Sequence, residues 1–461
     1  MTSPIKVAII GAGPAGIYAG NILSTAVKAA GGEVEIDLIE SLPAPYGLIR
    51  YGVAPDHPRI KGIVNSLHEM LDSGEIRFIG NVTFGRDVTL TDLEQRYDSV
   101  IFATGAIRDV RLDIPGVDLP GSYGAADFVS WFDGHPDVAR TWPLDASQVA
   151  VLGNGNVALD VARMLAKQSV DLLPSDIPAN VAEGLADSRV TDVHVFGRRG
   201  PGDIKFTPIE LRELGEVPDV DIVLYADDFD TDGNADHVAA GGNQSKVMAR
   251  TLREWLGREP TATSRRLHLH FRHAPLEIIG SDRVEGIRFA RTRHVGDGRY
   301  EATEETVEYP VQAVYRAVGY FGSPLPGIPF DEKRGVIRNI EGRVTAPDGS
   351  PIAGLYATGW IKRGPVGLIG HTKGDAAETI AHLLADLEAA PRPDRSGEGE
   401  LLELLETRGI HYTTWEGWLQ LDAHERALGD ADESPVARAR VKVVPRDEQL
   451  AISLGVAAVA S

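Results

Sequence analysis

The chain has 461 residues, 43% hydrophobic and 25% charged, an ordinary globular balance that excludes fibrous, collagen-like and wholly disordered classes. That length exceeds a single ordinary core, so two or three domains are expected. The 46 Lys+Arg against 67 Asp+Glu leave a net charge of −21, which argues against broad binding to nucleic acid or anionic membranes.

The cysteine count is zero. Disulfides, redox dithiols, thiolate nucleophiles and cysteine-ligated iron–sulfur clusters are therefore excluded. Redox chemistry here needs a bound cofactor, and any iron–sulfur centre belongs to another protein. No uninterrupted apolar run approaches the roughly 20 residues of a membrane-spanning helix. Lys6 followed by the apolar stretch Val7 to Leu23 imitates a secretory signal, but Gly11, Gly13, Pro14 and Gly16 break the helix such a signal needs. The expectation is mature structure in a cytoplasmic protein.

Val7-Ala8-Ile9-Ile10 reads as a strand buried on both faces of a parallel sheet. Gly11-Ala12-Gly13-Pro14-Ala15-Gly16 follows, a GxGxxG that opens a helical pattern. Gly11 permits the tight turn, Gly13 lets backbone approach a pyrophosphate, and Gly16 lets helix pack on strand. A second strand, Val34 to Ile39, ends in Glu40, 24 residues beyond Gly16 and placed for a ribose hydroxyl. Val100 to Phe102 is a further buried strand before Thr104-Gly105.

The pattern then repeats. Val149 to Leu152 leads into Gly153-Asn154-Gly155-Asn156-Val157-Ala158, a GxGxxA, with a helix from Leu159 to Lys167. Gln168 to Arg189 reads as an inserted excursion before the partner strand Val193 to Phe196, which ends in Gly197-Arg198-Arg199-Gly200-Pro201. Two arginines stand where a carboxylate would select the ribose diol of NAD. A guanidinium pair favours a 2′-phosphate, so NADP(H) is expected over a merely solvated basic turn. Two such sites imply two cofactors, and a resident flavin with an exchanging nicotinamide is the natural pair for hydride transfer.

Lys246 to His273 carries seven basic side chains, Lys246, Arg250, Arg253, Arg258, Arg265, Arg266 and Arg272, against Glu254 and Glu259. This stretch is either a solvated face or a docking surface for an acidic partner; the second reading singles out Arg250, Arg253, Arg258, Arg265 and Arg266. His268 and His270 would share a strand face, but no further ligand is evident nearby, so no metal centre is expected. Val314 to Gly319 and Leu355 to Gly359 are two more strand-and-turn segments. Segment 391–400 is a polar loop, Leu401 to Thr407 a short helix, and Leu450 to Ala460 a last buried segment.

Longer runs carry a resemblance. Residues 45–58 (PYGLIRYGVAPDHP), 153–163 (GNGNVALDVAR), Gly197 to Pro201, Glu210-Leu211-Arg212-Glu213 and 359–365 (GWIKRGP) resemble the adrenodoxin-reductase type of ferredoxin–NADP reductase over nearly the whole chain. The resemblance implies an α/β glutathione-reductase-like fold of two Rossmann-like domains. The NADP domain, 107–324, is inserted into a discontinuous FAD domain, 1–106 plus 325–461. It implies FAD contacts at Gly16, Glu40, Leu48, Val82, Trp360, Gly367, Leu368 and Ile369. It implies NADP(H) contacts at Asn154, Gly155, Asn156, Val157, Arg198, Arg199 and Glu210.

The family often has an arginine near position 110, where this chain has Val110 and where Arg108 or Arg111 would substitute. The resemblance also pairs His57 with Glu213 as candidate catalytic residues; the plainer alternatives are a structural turn histidine and a surface ion-pair glutamate. The implied activity runs from NADPH through FAD to a ferredoxin-type iron–sulfur protein, with a monomer as the expected state. The alternatives are a flavoprotein subunit feeding another enzyme and a non-catalytic nucleotide sensor.

Overall fold

The computed structural model describes residues 4–229, 243–259, 261, 263–296, 298–366, 369–389 and 399–456. The chain forms two compact units. One comprises Met1–Arg108, Asp133–Asp137 and Tyr320–Ser461; the other comprises Asp109–Phe132 and Val138–Gly319. The short return of 133–137 to the first unit departs from the expected boundaries, and ion pairing explains it. Asp133 Oδ1 lies 3.2 Å from Lys61 Nζ and 3.4 Å from Lys442 Nζ, and Asp137 pairs with Arg446 at 2.7 Å.

In the first unit the described residues form a seven-stranded sheet. Its order is Asn339–Ile340, Arg343–Thr345, Pro351–Ala357, Ser99–Phe102, Ile5–Ile10, Val34–Ile39 and Arg77–Ile79. The last five run parallel, and the first two join antiparallel at one edge. Successive side chains of a strand face opposite ways. Val7 and Ile9 accordingly pack with the helices Pro14–Ala29 and Ile369–Ala389, through Ile17, Leu23, Ile380 and Leu383. Ala8 and Ile10 pack on the other face with Leu93, Tyr97, Leu401 and Leu405. Both faces are buried from Val7 to Ile10, which is why that part of the strand is apolar throughout.

In the second unit the described residues form a six-stranded parallel sheet, in the order Ser122–Gly124, Ala313–Arg316, Gln148–Leu152, Asp192–Phe196, Arg265–His270 and Val220–Leu224. A separate antiparallel sheet of His273–Ile279, Gly286–Gly296 and Arg299–Tyr309 covers part of one face. Ile278, Ile287 and Phe289 there form one core with Ala150, Leu152, Phe196 and Val314. The 313–316 strand lies beside 148–152 rather than at an edge. The excursion folds into the short helices Ser169–Leu172 and Ala179–Ala186, anchored by buried Leu172, Ile177, Val181 and Leu185.

The helix Leu401–Thr407 forms as expected, whereas most of 391–400 lies outside the described residues. The C-terminal expectation needs correcting. A helix spans Arg446–Ser453, but Leu454 and Val456 are exposed, because Gly455 turns the chain away with φ +66°. No helix among the described residues is long and apolar enough to cross a membrane.

Candidate functional site: two nucleotide-binding turns

Each parallel sheet reverses its strand order beside its first strand, and the glycine turn sits at that reversal, where open α/β sheets bind ligands. In the first unit Gly11 N–H donates to Ile39 O (2.7 Å) and Ala103 N–H to Ile10 O (2.8 Å). In the second, Gly153 N–H donates to Phe196 O (3.0 Å) and Ala317 N–H to Leu152 O (2.8 Å). The two turns are built alike.

Sterics explain the glycines. Gly11 has φ +108°, and a Cβ there would meet Ala103 O at 2.6 Å; one on Gly16 would meet Gly11 O at 2.0 Å; one on Gly153 would meet Ala317 O at 2.4 Å. Gly13 and Gly155 differ. A Cβ on Gly13 meets nothing nearer than 3.9 Å, and one on Gly155 meets nothing within 4 Å. These two open positions precede the helices Pro14–Ala29 and Asn156–Ala166, whose early N–H groups, from Ala15 in the first because Pro14 has none and from Asn156 in the second, are available to a pyrophosphate.

Around the first turn the structure gathers most of the expected flavin contacts. Glu40 is buried, and its carboxylate accepts from Ala12 N–H (2.8 Å), Ser41 Oγ (2.9 Å) and Leu42 N–H (3.1 Å). A carboxylate has about four acceptor sites, so capacity remains for a ribose hydroxyl. Val82 N–H donates to Glu40 O (2.8 Å), and Tyr46 N–H donates to Ala12 O (2.8 Å). This brings Gly47 against Gly13 and starts the helix Leu48–Tyr51 beside the turn.

Gly359, at φ +73°, approaches Ala15 so closely that a Cβ would lie 2.6 Å from that of Ala15, which sets the helix Trp360–Arg363 at the same place. Gly367 and Leu368 lie outside the described residues; Ile369 begins the helix Ile369–Ala389. Two residues not singled out from sequence support this corner. Asp375 accepts from Gly359 N–H (2.5 Å) and pairs with buried Lys362 at 2.9 Å. Their positions 16 and 13 apart give no local sequence signal.

At the second turn Gly197 takes the place that Glu40 has in the first: Gly197 N–H donates to His270 O (2.8 Å), as Glu40 N–H donates to Ile79 O (2.9 Å). A Cβ there would lie 3.0 Å from Asn154 Nδ2, a tight contact to which the Asn154 side chain would have to yield. Among the described residues that Nδ2 is buried without a hydrogen-bond partner, a donor fit for a ligand. Arg198 is exposed and Arg199 half-buried. Among the described residues neither has a carboxylate partner, so both charges remain available to an anion.

Asn156 Oδ1 accepts from Thr207 N–H (3.2 Å), and Thr207 caps the helix Pro208–Leu214 that carries Glu210 and Glu213. Glu210 is buried 3.6 Å from the guanidinium of buried Arg163, while Glu213 is half-buried. His57, in the first unit, is buried at the N-terminus of the helix Pro58–Lys61. Arg108 and Arg111 are both exposed.

The basic stretch divides. Arg250 and Arg253 lie exposed on the helix Asn243–Leu256, and Arg258 is exposed with its guanidinium 5.5 Å from the ring of Trp255. Arg265 does not belong with them. It is buried and donates to Leu165 O (3.2 Å), Ala166 O (3.3 Å) and Lys167 O (2.5 Å), capping the carbonyl end of the helix Asn156–Ala166. Arg266 is half-exposed but spent on Asp192 at 2.6 Å.

His268 and His270 do share a face, and the fold adds His194 to them, a third imidazole within 4.8 Å that sequence spacing did not reveal. Their nitrogens are already engaged. His194 meets His270 (3.0 Å) and Gln148 (2.9 Å), and His268 meets Asp192 (2.9 Å) and Tyr225 (2.8 Å). The rings of His194 and His268 stack at 4.2 Å with 12° between planes, so their in-plane lone pairs do not converge on one ion.

These features define a redox-type α/β protein with two dinucleotide-binding Rossmann-like domains of the glutathione-reductase kind, the second inserted in the sequence of the first. Residues 5–199 match the family model for pyridine nucleotide-disulphide oxidoreductases. The chain is 41% identical to NADPH-ferredoxin reductase FprA of Mycobacterium tuberculosis (strain ATCC 25618 / H37Rv), covering 98% of this chain and 100% of the relative. It is 37% identical to the mitochondrial NADPH:adrenodoxin oxidoreductase of Bos taurus, covering 96% and 91%. The solved structure of Mycobacterium tuberculosis FprA in complex with NADPH superposes with a TM-score of 0.90 at 39% identity, covering 98% of this chain and all of the other. The chain belongs to the family of NADPH-ferredoxin and NADPH:adrenodoxin reductases.

Proposed function

We propose that this protein is a ferredoxin–NADP(+) reductase that moves electrons from NADPH, through FAD, to a ferredoxin-type iron–sulfur protein. The observation that carries the reading is the pair of like-built turns with unlike ends. Glu40 closes the first and suits the ribose of FAD; Gly197-Arg198-Arg199 closes the second and suits a 2′-phosphate. Family membership over the full chain supports the same assignment.

A bound flavin supplies two-electron acceptance and one-electron release. The chain's part is binding and alignment. Gly11, Gly13, Ala15 and Gly16 form the flavin pyrophosphate turn, with Glu40, Leu48, Val82 and Trp360 around it. Gly367, Leu368 and Ile369 extend this set. Asn154, Gly155, Asn156 and Val157 form the NADP turn, with Arg198 and Arg199 on the phosphate and Glu210 and Arg163 behind it. His57 and Glu213 hold geometry or a proton near the reacting rings, and Arg108 or Arg111 gives a further contact to the nucleotide phosphates. Arg250, Arg253 and Arg258 form the docking patch for the acidic partner. A cytoplasmic location belongs to the same reading.

The test is the visible spectrum of purified protein followed by anaerobic titration with NADPH and with NADH. A flavin spectrum bleached by NADPH at far lower concentration than by NADH is expected. A colourless protein that flavin does not reconstitute would overturn the proposal.

A further inference from the structure

The arginine turn is held from outside by the antiparallel sheet. Three consecutive carbonyls are occupied: Gly197 O accepts from His273 N–H (3.0 Å), Arg198 O from Thr292 Oγ1 (2.9 Å) and Arg199 O from Arg272 N–H (3.0 Å). Arg272 adopts the left-handed φ of +64°, costly for a non-glycine residue. It is locked there by donating Nε to Thr292 O (2.7 Å) while its own carbonyl accepts Thr292 N–H (2.9 Å). Thr292 is 2% exposed, so its hydroxyl has no water to fall back on. Farther along the turn, Asp203 N–H donates to Gly200 O (3.0 Å), and the Asp203 carboxylate accepts from Tyr300 Oη (2.8 Å). A Cβ on Gly200 would meet that phenol oxygen at 2.8 Å. Burial, then the Asp203 carboxylate, pushes the phenol up, so Tyr300 stays a donor.

We propose that Thr292 and Tyr300 are positioning residues for 2′-phosphate selectivity: Thr292 fixes the peptide between the two arginines, and Tyr300 occupies the one carboxylate of the turn. The inference rests on the reading of Arg198 and Arg199 as the phosphate site. A carboxylate at such a turn repels a 2′-phosphate and accepts from the 2′-hydroxyl of NADH. Holding Asp203 on Tyr300 therefore works for NADPH and against NADH, without either residue touching the nucleotide.

The experiment measures KM for NADPH and for NADH, with ferricyanide as oxidant, in Thr292→Val, Thr292→Ser, Tyr300→Phe and the Arg198→Ala/Arg199→Ala double variant, with thermal melts of each. Losing one such hydrogen bond should raise the KM(NADPH)/KM(NADH) ratio by about threefold to tenfold in Thr292→Val and in Tyr300→Phe. Thr292→Ser should restore it. Equal changes with both nucleotides, or lowered melting alone, overturn the inference. Should Thr292→Val not fold, Tyr300→Phe decides. If the double arginine variant itself leaves the ratio unchanged, the phosphate reading falls and this inference with it. If the double variant shifts the ratio and Tyr300→Phe does not, only this inference falls.

Discussion

Arg50 and Glu425 stand 375 residues apart in sequence and form a buried bidentate pair, Nη1–Oε2 at 3.0 Å and Nη2–Oε1 at 2.5 Å. Glu425 also accepts from Val443 N–H (3.0 Å) and lies 3.2 Å from Arg440, so its carboxylate joins the strap before the last helix to the flavin-binding unit. Removing one partner of such a pair strands the other charge without water. Glu425→Ala should therefore cost about 3–5 kcal/mol in denaturant unfolding, with the 133–137 and 440–445 segments losing hydrogen-exchange protection first. A loss below about 1 kcal/mol would show that the pair is dispensable. Arg265 teaches the complementary lesson at this scale. Counted along the sequence it is one more positive charge, whereas in the fold it is a helix cap whose charge three backbone carbonyls absorb.

The histidine column shows what adjacent elements create together. His194 comes from one strand, His268 and His270 from its neighbour, and His273 from the next sheet. Tyr309 bridges from a fourth strand, its hydroxyl 2.9 Å from His273 Nε2 and 3.5 Å from His270 Nδ1. Burial drives all four imidazoles toward neutrality: His194 is pushed down to about 3 and His273 to about 4, and His268 and His270 are lowered too, although Asp192 opposes this at His268.

The sign follows. Above the ordinary value of 6.5 both folded and unfolded histidines are neutral, and nothing is gained or lost. Below it the unfolded chain takes up protons that the folded domain refuses. Stability of the nucleotide domain therefore falls as pH drops from 6.5 toward 4, by up to about 1.4 kcal/mol per pH unit for each histidine. Melting curves between pH 7.5 and pH 5 should show this fall, and His194→Gln should flatten it. A melting temperature level across that range would refute the assignment of neutral buried rings.

For the whole molecule, a net charge of −21 coexists with a local cluster of exposed Arg250, Arg253 and Arg258. Short-range complementarity governs docking when salt screens the remainder beyond roughly 10 Å. Charge reversal at Arg250 and Arg253 should lower kcat/KM for ferredoxin-linked cytochrome c reduction about tenfold at low salt and progressively less at high salt. Ferricyanide reduction, which needs no docked protein, should stay unchanged; equal loss in both assays would count against the patch.

Much of this molecule was legible along the chain. The strands Ile5–Ile10 and Gln148–Leu152, both glycine turns, Glu40 and the arginine pair follow from local rules, because tight turns and two-sided burial constrain residue type within a few positions. The zero cysteine count placed the terminal acceptor elsewhere. Tertiary structure alone decided which charges are surface and which are buried, as with Arg265 and Arg50. It also assembled His194 with His268 and His270, and brought Thr292 and Tyr300 onto a turn some 90 residues earlier. Those relations depend on strand order and sheet packing, which join residues by hydrogen bonds across the fold and leave no periodicity in the sequence for local reading to detect.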